Sequence, residues 1–224
     1  MSKHSKRYNA LKEKIDPIKK YDLTEAISLI KESGNLKFDG AVELHISTTI
    51  DTKQSDQQVR GTVSLPHGTG KKQKITALTA DADAAKKAGA EFAGGEELIK
   101  EIQAGKINFD ILVAEPSFMP KLAPVAKILG PRGLMPSPKN GTVSPDVIKA
   151  IEELSKGKVA FKNDNTGNLH LMVGRTSFSE DNLKQNIESA FNAVKISRSS
   201  SVKGGFIQNI TLSTTMGPGV KIGI

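Results

Sequence analysis

The stretch that decides the fold runs from Val59 to Gly70 and reads Val-Arg-Gly-Thr-Val-Ser-Leu-Pro-His-Gly-Thr-Gly. In its first seven residues, apolar or glycine positions alternate with polar ones, which is typical of a strand with one buried face. The remainder, from Pro66 onward, consists of turn-forming residues that end this pattern. The chain follows different periodicities before and after this cluster, and we therefore interpret it as a domain boundary.

The regions before this boundary and after Lys158 share one pattern of helices and half-buried strands. A helical pattern begins at Asp22, and from Val42 the period changes to two, so that Val42, Leu44 and Ile46 share one face of a half-buried strand. The rhythm returns after Lys158. There we expect strands over 159–162 and 169–173 that pair around the turn 163–167, a helix capped by Ser179, a last strand over 206–215, and a turn with a short tail.

The middle region alternates strands with helices. The pattern predicts strands over 75–80, 91–93 and 109–114, and helices over 81–88 and 96–104, up to Leu129 and after Pro145. Such alternation is typical of βαβ units on a mostly parallel sheet.

The simplest organisation is therefore a mixed α/β (α+β) fold with an insertion. Residues 67–158 are predicted to form a small Rossmann-like α/β domain with a mostly parallel sheet. Residues 1–66 and 159–224 are predicted to form a discontinuous α+β domain with an antiparallel sheet. Because two connections join the domains at one place, we expect them to move relative to each other.

The composition favours a polyanionic partner. Thirty-two Lys and Arg against 24 Asp and Glu give a net charge of +8 and a pI near 9.5. Such an excess is typical of nucleic-acid binding, although a solubilising surface charge is the alternative. Aromatic residues make up 4%, which is too few for an open stacking platform, so we expect contacts through phosphates, hydroxyls and backbone.

Several classes are excluded or disfavoured. The absence of Cys excludes disulfides and thiolate metal sites. No apolar run is long enough to span a membrane, and the basic N-terminus lacks the apolar segment of a secretory signal. We therefore expect a cytoplasmic protein with no membrane partner.

No motif indicates catalysis. The stretch from His67 to Lys72 fails the P-loop pattern, because its glycine spacing is wrong and no Ser or Thr follows the lysine. The histidines at 4, 45, 67 and 170 lack metal-ligand spacing and are better explained as surface or strand residues. We expect neither an enzyme nor a cofactor. Two alternatives stay open: a nucleotide-dependent enzyme, suggested by the βαβ pattern, and a soluble regulator that binds mRNA alone.

Two stretches suggest an RNA contact. The loop from Gly130 to Val143 is dense in Gly and Pro and holds out Arg132 and Lys139, either as a rigid packing loop or as a preorganised phosphate contact. In the last strand, Thr211, Ser213 and Thr215 share one face with Asn209. Small hydroxyls suit contacts to ribose and phosphate, although Thr and Ser also simply favour strands.

Five motifs carry a resemblance. They are Lys37-Phe38-Asp39, Ser55-Asp56-Gln57-Gln58-Val59-Arg60-Gly61, Leu65-Pro66-His67-Gly68-Thr69-Gly70, the Gly130–Val143 loop, and Ser213-Thr214-Thr215-Met216-Gly217. In this order and spacing, and over nearly its whole length, the chain resembles the bacterial family of large-subunit ribosomal protein one, the mobile-stalk protein beside the tRNA exit site.

The resemblance implies a structural protein without catalysis, monomeric within the ribosome. Its implied partners are the stalk junction of large-subunit rRNA, the exit-site tRNA, whose release it assists, and the mRNA of its own operon, whose translation it represses. The implied RNA-binding residues are Lys37, Phe38, Thr211, Ser213, Thr215, Met216 and Gly217, with Arg132 and Lys139 as weaker candidates. Phe38 is expected to pack against sugar, and Gly217 to allow close approach of the backbone. Ala41 stands where the family often has Ser or Thr, so a hydroxyl contact is lost there.

Overall fold

A computed structural model describes residues 5–34, 36–199, 201–202 and 204–223. The chain divides into two compact units, the first formed by Met1–Gly70 with Val159–Ile224 and the second by Lys71–Lys158. The first unit contains an antiparallel sheet and the second a parallel one. The predicted fold class, an antiparallel α+β part and a parallel α/β part, is confirmed.

The elements are named in chain order. The helices are α1 (Lys6–Glu13), α2 (Leu23–Ser33), α3 (Ala82–Lys87), α4 (Glu96–Gln103), α5 (Ala126–Leu129), α6 (Val147–Ser155) and α7 (Glu180–Ile196). The strands are β1 (Ala41–Thr48), β2 (Arg60–Ser64), β3 (Ile75–Leu78), β4 (Phe92–Gly94), β5 (Ile111–Ala114), β6 (Lys158–Lys162), β7 (Asn168–Arg175), β8 (Ile207–Thr214) and β9 (Val220–Ile222). Short 3₁₀ segments cover Ser55–Gln57, Pro116–Phe118, Pro120–Val125 and Pro138–Asn140.

The main sheet of the first unit has the order β7-β1-β8-β9. Its register places His45 of β1 opposite His170 of β7 and opposite Thr211 of β8. The inward residues of β1, including Val42, Leu44 and Ile46, are buried beneath α2 and α7. The outward residues between them are only half-buried. The predicted alternation of this strand is therefore confirmed, and it gives the sheet one packed and one polar face.

Two expectations for the first unit are wrong. The strand over 158–162 pairs with β2 in a separate two-stranded sheet, not with the strand that follows it. Asn163 explains the difference, because its N–H donates to Val59 O at 3.1 Å while its Oδ1 accepts from Val59 N–H at 2.9 Å. The expected tail is in fact β9, an edge strand antiparallel to β8, whose Val220 and Ile222 are buried.

The second unit is a three-stranded parallel sheet with the order β4-β3-β5. Apolar side chains cover both of its faces. One cluster joins Ile75 and Val113 to α3 and α6, and the other joins Leu78 and Leu112 to α4 and the segment that leads to α5. The predicted βαβ pattern is confirmed. The expected helix before Leu129 is mostly 3₁₀, because prolines at 116, 120 and 124 lack the N–H that an α-helix requires.

Across the described residues, no helix is both long enough and apolar enough to cross a membrane.

Candidate nucleic-acid interface

The turn between β8 and β9 presents Met216 to solvent. Its side chain is 69% exposed, and its backbone has φ 66°, a left-handed conformation that is uncommon for a residue with a side chain. Gly217 N–H donates to Thr214 O at 2.9 Å and closes the turn. The exposed apolar side chain therefore stands on a backbone that the fold holds in an unfavourable conformation.

Gly217 has a reason inside the protein to lack a side chain. A Cβ at this position would collide with Thr214 Oγ1 and would lie 2.9 Å from Ser33 Oγ. These two hydroxyls are buried and lie 3.0 Å apart, in a hydrogen bond that ties α2 to β8. The packing of the turn on α2 thus requires glycine. The expected close approach of RNA to this backbone stays a prediction.

Arg7 of α1 fastens the same turn from outside the sheet. Its guanidinium donates to Ser33 O at 3.0 Å and to Met216 O at 2.9 Å. The α1 helix begins at a Ser5 cap, whose hydroxyl accepts from Tyr8 N–H. Sequence reasoning missed Arg7, because nothing in the basic N-terminal stretch distinguishes this arginine from its neighbours.

The segment before β1 presents Lys37 and Phe38, both exposed, with Phe38 53% exposed. Asp39 anchors this segment, since its carboxylate accepts from Thr176 Oγ1 at 3.0 Å and from Ser177 N–H and Oγ at 3.1 and 2.9 Å. Partial burial raises the pKa of Asp39, but the hydrogen bonds from Ser177 and Thr176 outweigh it and hold that pKa below its usual range.

Thr215 joins this segment to the Met216 turn. Its hydroxyl accepts from Ala41 N–H at 3.1 Å, and its own N–H donates to Ala41 O at 3.0 Å. A Cβ at Gly40 would lie 3.7 Å from Thr215 Cβ. The structure thus places the segment that carries Lys37 and Phe38 beside the turn that carries Thr215, Met216 and Gly217, and we call these five residues the Met216 surface.

The hydroxyl row of β8 is arranged as its alternation predicts. Thr211 and Ser213 are half-buried on the polar face of the sheet, while Leu212 and Thr214 are buried on the other. The same face carries residues of β1 and β7 that sequence reasoning left out of the site. They include His45, whose Nε2 lies 2.9 Å from Ser213 Oγ, and His170 beside it. A separation of 125 residues hides this pair from any local pattern.

The Gly130–Gly141 loop lies in the second unit and is held locally. Leu134 and Met135 pack against the apolar cluster beside α4, and Pro136 is buried. Two hydrogen bonds close the loop. Ser137 N–H donates to Thr142 Oγ1 at 2.8 Å, and the Thr142 hydroxyl donates to Ser137 O at 3.1 Å. These contacts support the packing interpretation for the apolar part of the loop.

Arg132 and Lys139 project from this loop. Both are exposed, and no hydrogen bond or ion pair joins either of them to the rest of the described chain. Their guanidinium and ammonium groups are thus open to an anion, as the phosphate interpretation requires. Packing therefore explains the conformation of the loop backbone, whereas it does not account for the two exposed cations.

Comparisons with known proteins support one family. The profile of the Ribosomal protein L1p/L10e family matches residues 28–218. The large ribosomal subunit proteins uL1 of Thermosipho melanesiensis and Mesoplasma florum are each 49% identical to this chain, over 99% and 100% of it and 97% and 100% of their own length. The uL1 of Shewanella denitrificans is 43% identical, over 99% of this chain and 96% of its own.

The matches cover the chain from end to end, and they confirm the predicted resemblance and the prediction of a structural protein without enzymatic activity. This similarity shows that the chain, with its antiparallel and its parallel unit, belongs to the Ribosomal protein L1p/L10e family.

Proposed function

We propose that this protein is a structural constituent of the large ribosomal subunit and binds large-subunit rRNA through the Met216 surface and the adjoining Thr211 and Ser213. The observation that carries the proposal is the pair of exposed apolar side chains, Phe38 and Met216, on neighbouring anchored turns beside a row of hydroxyls. Exposed apolar groups on a rigid polar surface favour a partner that covers them. Apolar and hydroxyl contacts together suit riboses and backbone phosphates.

Rigidity is the second support for this assignment. Arg7, Asp39 and Thr215 each fix one part of the Met216 surface with hydrogen bonds to backbone or hydroxyl groups. A surface that is fixed before binding loses little conformational entropy on association, and it recognises the shape of a folded RNA junction rather than an extended strand. We therefore expect little change in the first unit when RNA binds.

The test is a gel shift of the full chain with the cognate large-subunit rRNA junction fragment, and with an unrelated hairpin of equal length as control. We expect preference for the junction fragment. Affinity should fall with salt by about 0.7 to 0.9 log units per log unit of salt for each phosphate contacted. Equal affinity for the hairpin, or a salt slope near zero, would contradict the proposal.

The finer roles rest on the family resemblance. We propose that the protein acts in the cytoplasm as a monomer within the ribosome, at the stalk junction of the rRNA. There it assists release of the exit-site tRNA, and it represses translation of its own operon by binding a similar mRNA structure. A reporter fused to the leader of that operon tests the repression, since overproduction of the chain should lower the reporter signal, and a Met216→Asp variant should not.

Two other functions are separable by experiment. Equilibrium dialysis with ATP and NAD tests a nucleotide-dependent enzyme, because tight saturable binding would support it. Washing large subunits in high-stringency buffer tests a regulator that binds mRNA alone, because such a regulator would leave the subunits. We expect no saturable nucleotide binding and retention on the washed subunits.

A further inference from the structure

Two histidines face each other on the polar face of the four-stranded sheet. Nδ1 of His45 lies 2.8 Å from Nδ1 of His170, and Nε2 of His45 lies 2.9 Å from Ser213 Oγ. The two rings meet edge to face, with centroids 5.0 Å apart. One chain of hydrogen bonds therefore crosses three strands, from β7 through β1 to β8, and ends on a hydroxyl that belongs to the proposed RNA surface.

Four charged or titratable groups neighbour His45 on this face, either directly or through His170 and Thr211. Glu43 Oε2 lies 3.7 Å from His45 Nε2, and Asp164 Oδ2 lies 3.6 Å from His170 Nε2. His170 itself is the third. The fourth is Lys221 of β9, which pairs with Thr211, the residue opposite His45 on β8. One carboxylate thus faces each imidazole, and a lysine completes the row.

Asp164 sets the position of the protons when both histidines are neutral. Hydrogen bonds from Asn168 N–H and from Thr166 hold the pKa of Asp164 far below its usual range, so its carboxylate is ionised at neutral pH. An ionised carboxylate favours the His170 tautomer that carries its proton on Nε2. His170 Nδ1 then accepts a hydrogen bond from the N–H of His45 Nδ1, which leaves His45 Nε2 without a proton and therefore an acceptor.

The direction in which the Ser213 hydroxyl hydrogen points follows from this arrangement. Because His45 Nε2 is an acceptor in the neutral pair, the Ser213 hydroxyl donates to it and its hydrogen points toward the His45 ring. When His45 gains a proton, its Nε2 becomes a donor, Ser213 Oγ accepts, and the hydroxyl hydrogen turns outward. One proton thus adds a positive charge and frees a hydroxyl donor at the same place, and both changes favour an anionic acceptor.

We propose that His45, His170 and Ser213 form a phosphodiester-contact site on the polar face of the sheet, in which proton uptake by His45 increases the affinity for RNA. The site rests on the proposed RNA-binding function and extends its surface beyond Ser213 to β1 and β7. In the free protein, burial and then the charge of His170 lower the pKa of His45, while Glu43 raises it. A bound phosphate stabilises the cation, so binding takes up a proton and affinity rises as pH falls.

Fluorescence anisotropy tests the site, with the full chain and the labelled rRNA junction fragment between pH 8 and pH 5.5 at constant ionic strength. For a single coupled proton, we expect an affinity gain of about threefold to tenfold over this range. The variant His45→Gln keeps an amide beside Ser213 but cannot take up a proton. Its affinity should be flat with pH, so its deficit against the wild type should grow as pH falls from 8 to 5.5.

A matched control is His67→Gln, because His67 is also a histidine of the first unit but its ring bonds to Gln185 on α7 instead of the polar face. This control should keep the full pH response. A second measurement is the NMR titration of the His45 ring protons in the wild-type chain, where the pKa should rise on addition of RNA. It needs no variant and does not depend on the folding of His45→Gln.

The outcomes separate the two proposals. If the chain prefers the junction fragment at every pH but its affinity does not change with pH, the proton-linked site is wrong and the RNA function stands. A full pH response in His45→Gln, or an unchanged His45 pKa in the complex, would likewise overturn the site. If the chain shows no preference for the junction fragment at any pH, both proposals fail.

Discussion

The Met216 surface and the Gly130–Gly141 loop both display exposed side chains on stiff turns, but they are built differently. The hydrogen bonds that fix the Met216 surface include pairs far apart in the chain, such as Ala41 with Thr215, 174 positions apart, and Arg7 with Met216, 209 positions apart. In the loop, Ser137 bonds to Thr142, only 5 positions away. The first surface therefore exists only in the folded unit, whereas the second is stiffened by its local sequence.

This difference indicates how each region can contribute to binding. A surface held by distant segments fixes the relative positions of several side chains and can select the shape of its partner. A locally closed loop that holds out two separate cations supplies charge, which adds affinity with little selectivity. The predictions below test that contrast.

The largest effect is expected for Met216→Asp. An added carboxylate on the Met216 surface would face RNA phosphates, and we expect affinity for the junction fragment to fall about 100-fold. Stability should hold, because Asp tolerates the left-handed backbone better than Met. Gel shift and thermal unfolding measure the two quantities. The matched change in the loop, Lys139→Asp, should cost roughly tenfold or less, and an equal loss from both variants would remove the contrast.

Glycine replacements separate the stability cost of a steric clash from the cost of an unfavourable backbone conformation. Gly217→Ala forces a Cβ against Thr214 and Ser33, and we expect the free energy of unfolding to fall by about 1–3 kcal/mol, with a loss of RNA affinity. Gly133→Ala in the loop meets no atom within 4 Å but has φ 71°, so its cost should be about 1 kcal/mol. Its RNA affinity should be nearly unchanged. Urea unfolding and anisotropy check both, and a larger effect at Gly133 would contradict the packing argument.

The Asp39 anchor gives a pH signature that the loop should lack. Its pKa is below that of an unfolded chain, so its contribution to stability is present above about pH 4 and is lost as pH falls through the folded pKa. Asp39→Asn should therefore have a lower melting temperature than the wild type at pH 7, and the difference should begin to shrink near pH 4 and vanish below the folded pKa. A difference that persists in acid would show that the charge of Asp39 is not the cause.

The smallest effects are expected for Arg132→Ala and Lys139→Ala. Each removes one exposed cation, and we expect affinity to fall by about threefold with a salt slope lower by roughly one. Both measurements come from anisotropy at a series of salt concentrations. No change in either variant would favour the packing interpretation of the loop, and a loss well above tenfold would contradict the contrast with the Met216 surface.

The parts of the fold that depend on local pattern could be predicted from the sequence. Alternation places Leu44 and Leu212 inside and Ser213 outside, because a strand side chain points to one face whatever its partner strand is. The motifs near Phe38 and Met216 lie in two segments that the structure places side by side at Ala41 and Thr215, while their role in RNA binding stays a prediction.

What could not be predicted depends on distant pairing. Residues 158–162 alternate well enough to pair with any strand, and the hydrogen bonds between Asn163 and Val59 decide the partner. The anchoring role of Arg7 and the contact between His45 and His170 depend on residues far away in the chain, so no spacing in the sequence indicates them. The Pro-rich stretch before Leu129 showed apolar spacing, but its backbone chemistry selects the tighter helix.

The interrupted first unit has a consequence for synthesis on the ribosome. Both neighbours of β1 come from the far end of the chain, since Ser47 pairs with Asn168 and with Asn209. While those residues are still untranslated, β1 has two open edges, and the contiguous Lys71–Lys158 unit can complete its own sheet first. A chain released early can therefore contain a complete second unit while it lacks both partner strands of β1 and the Met216 turn.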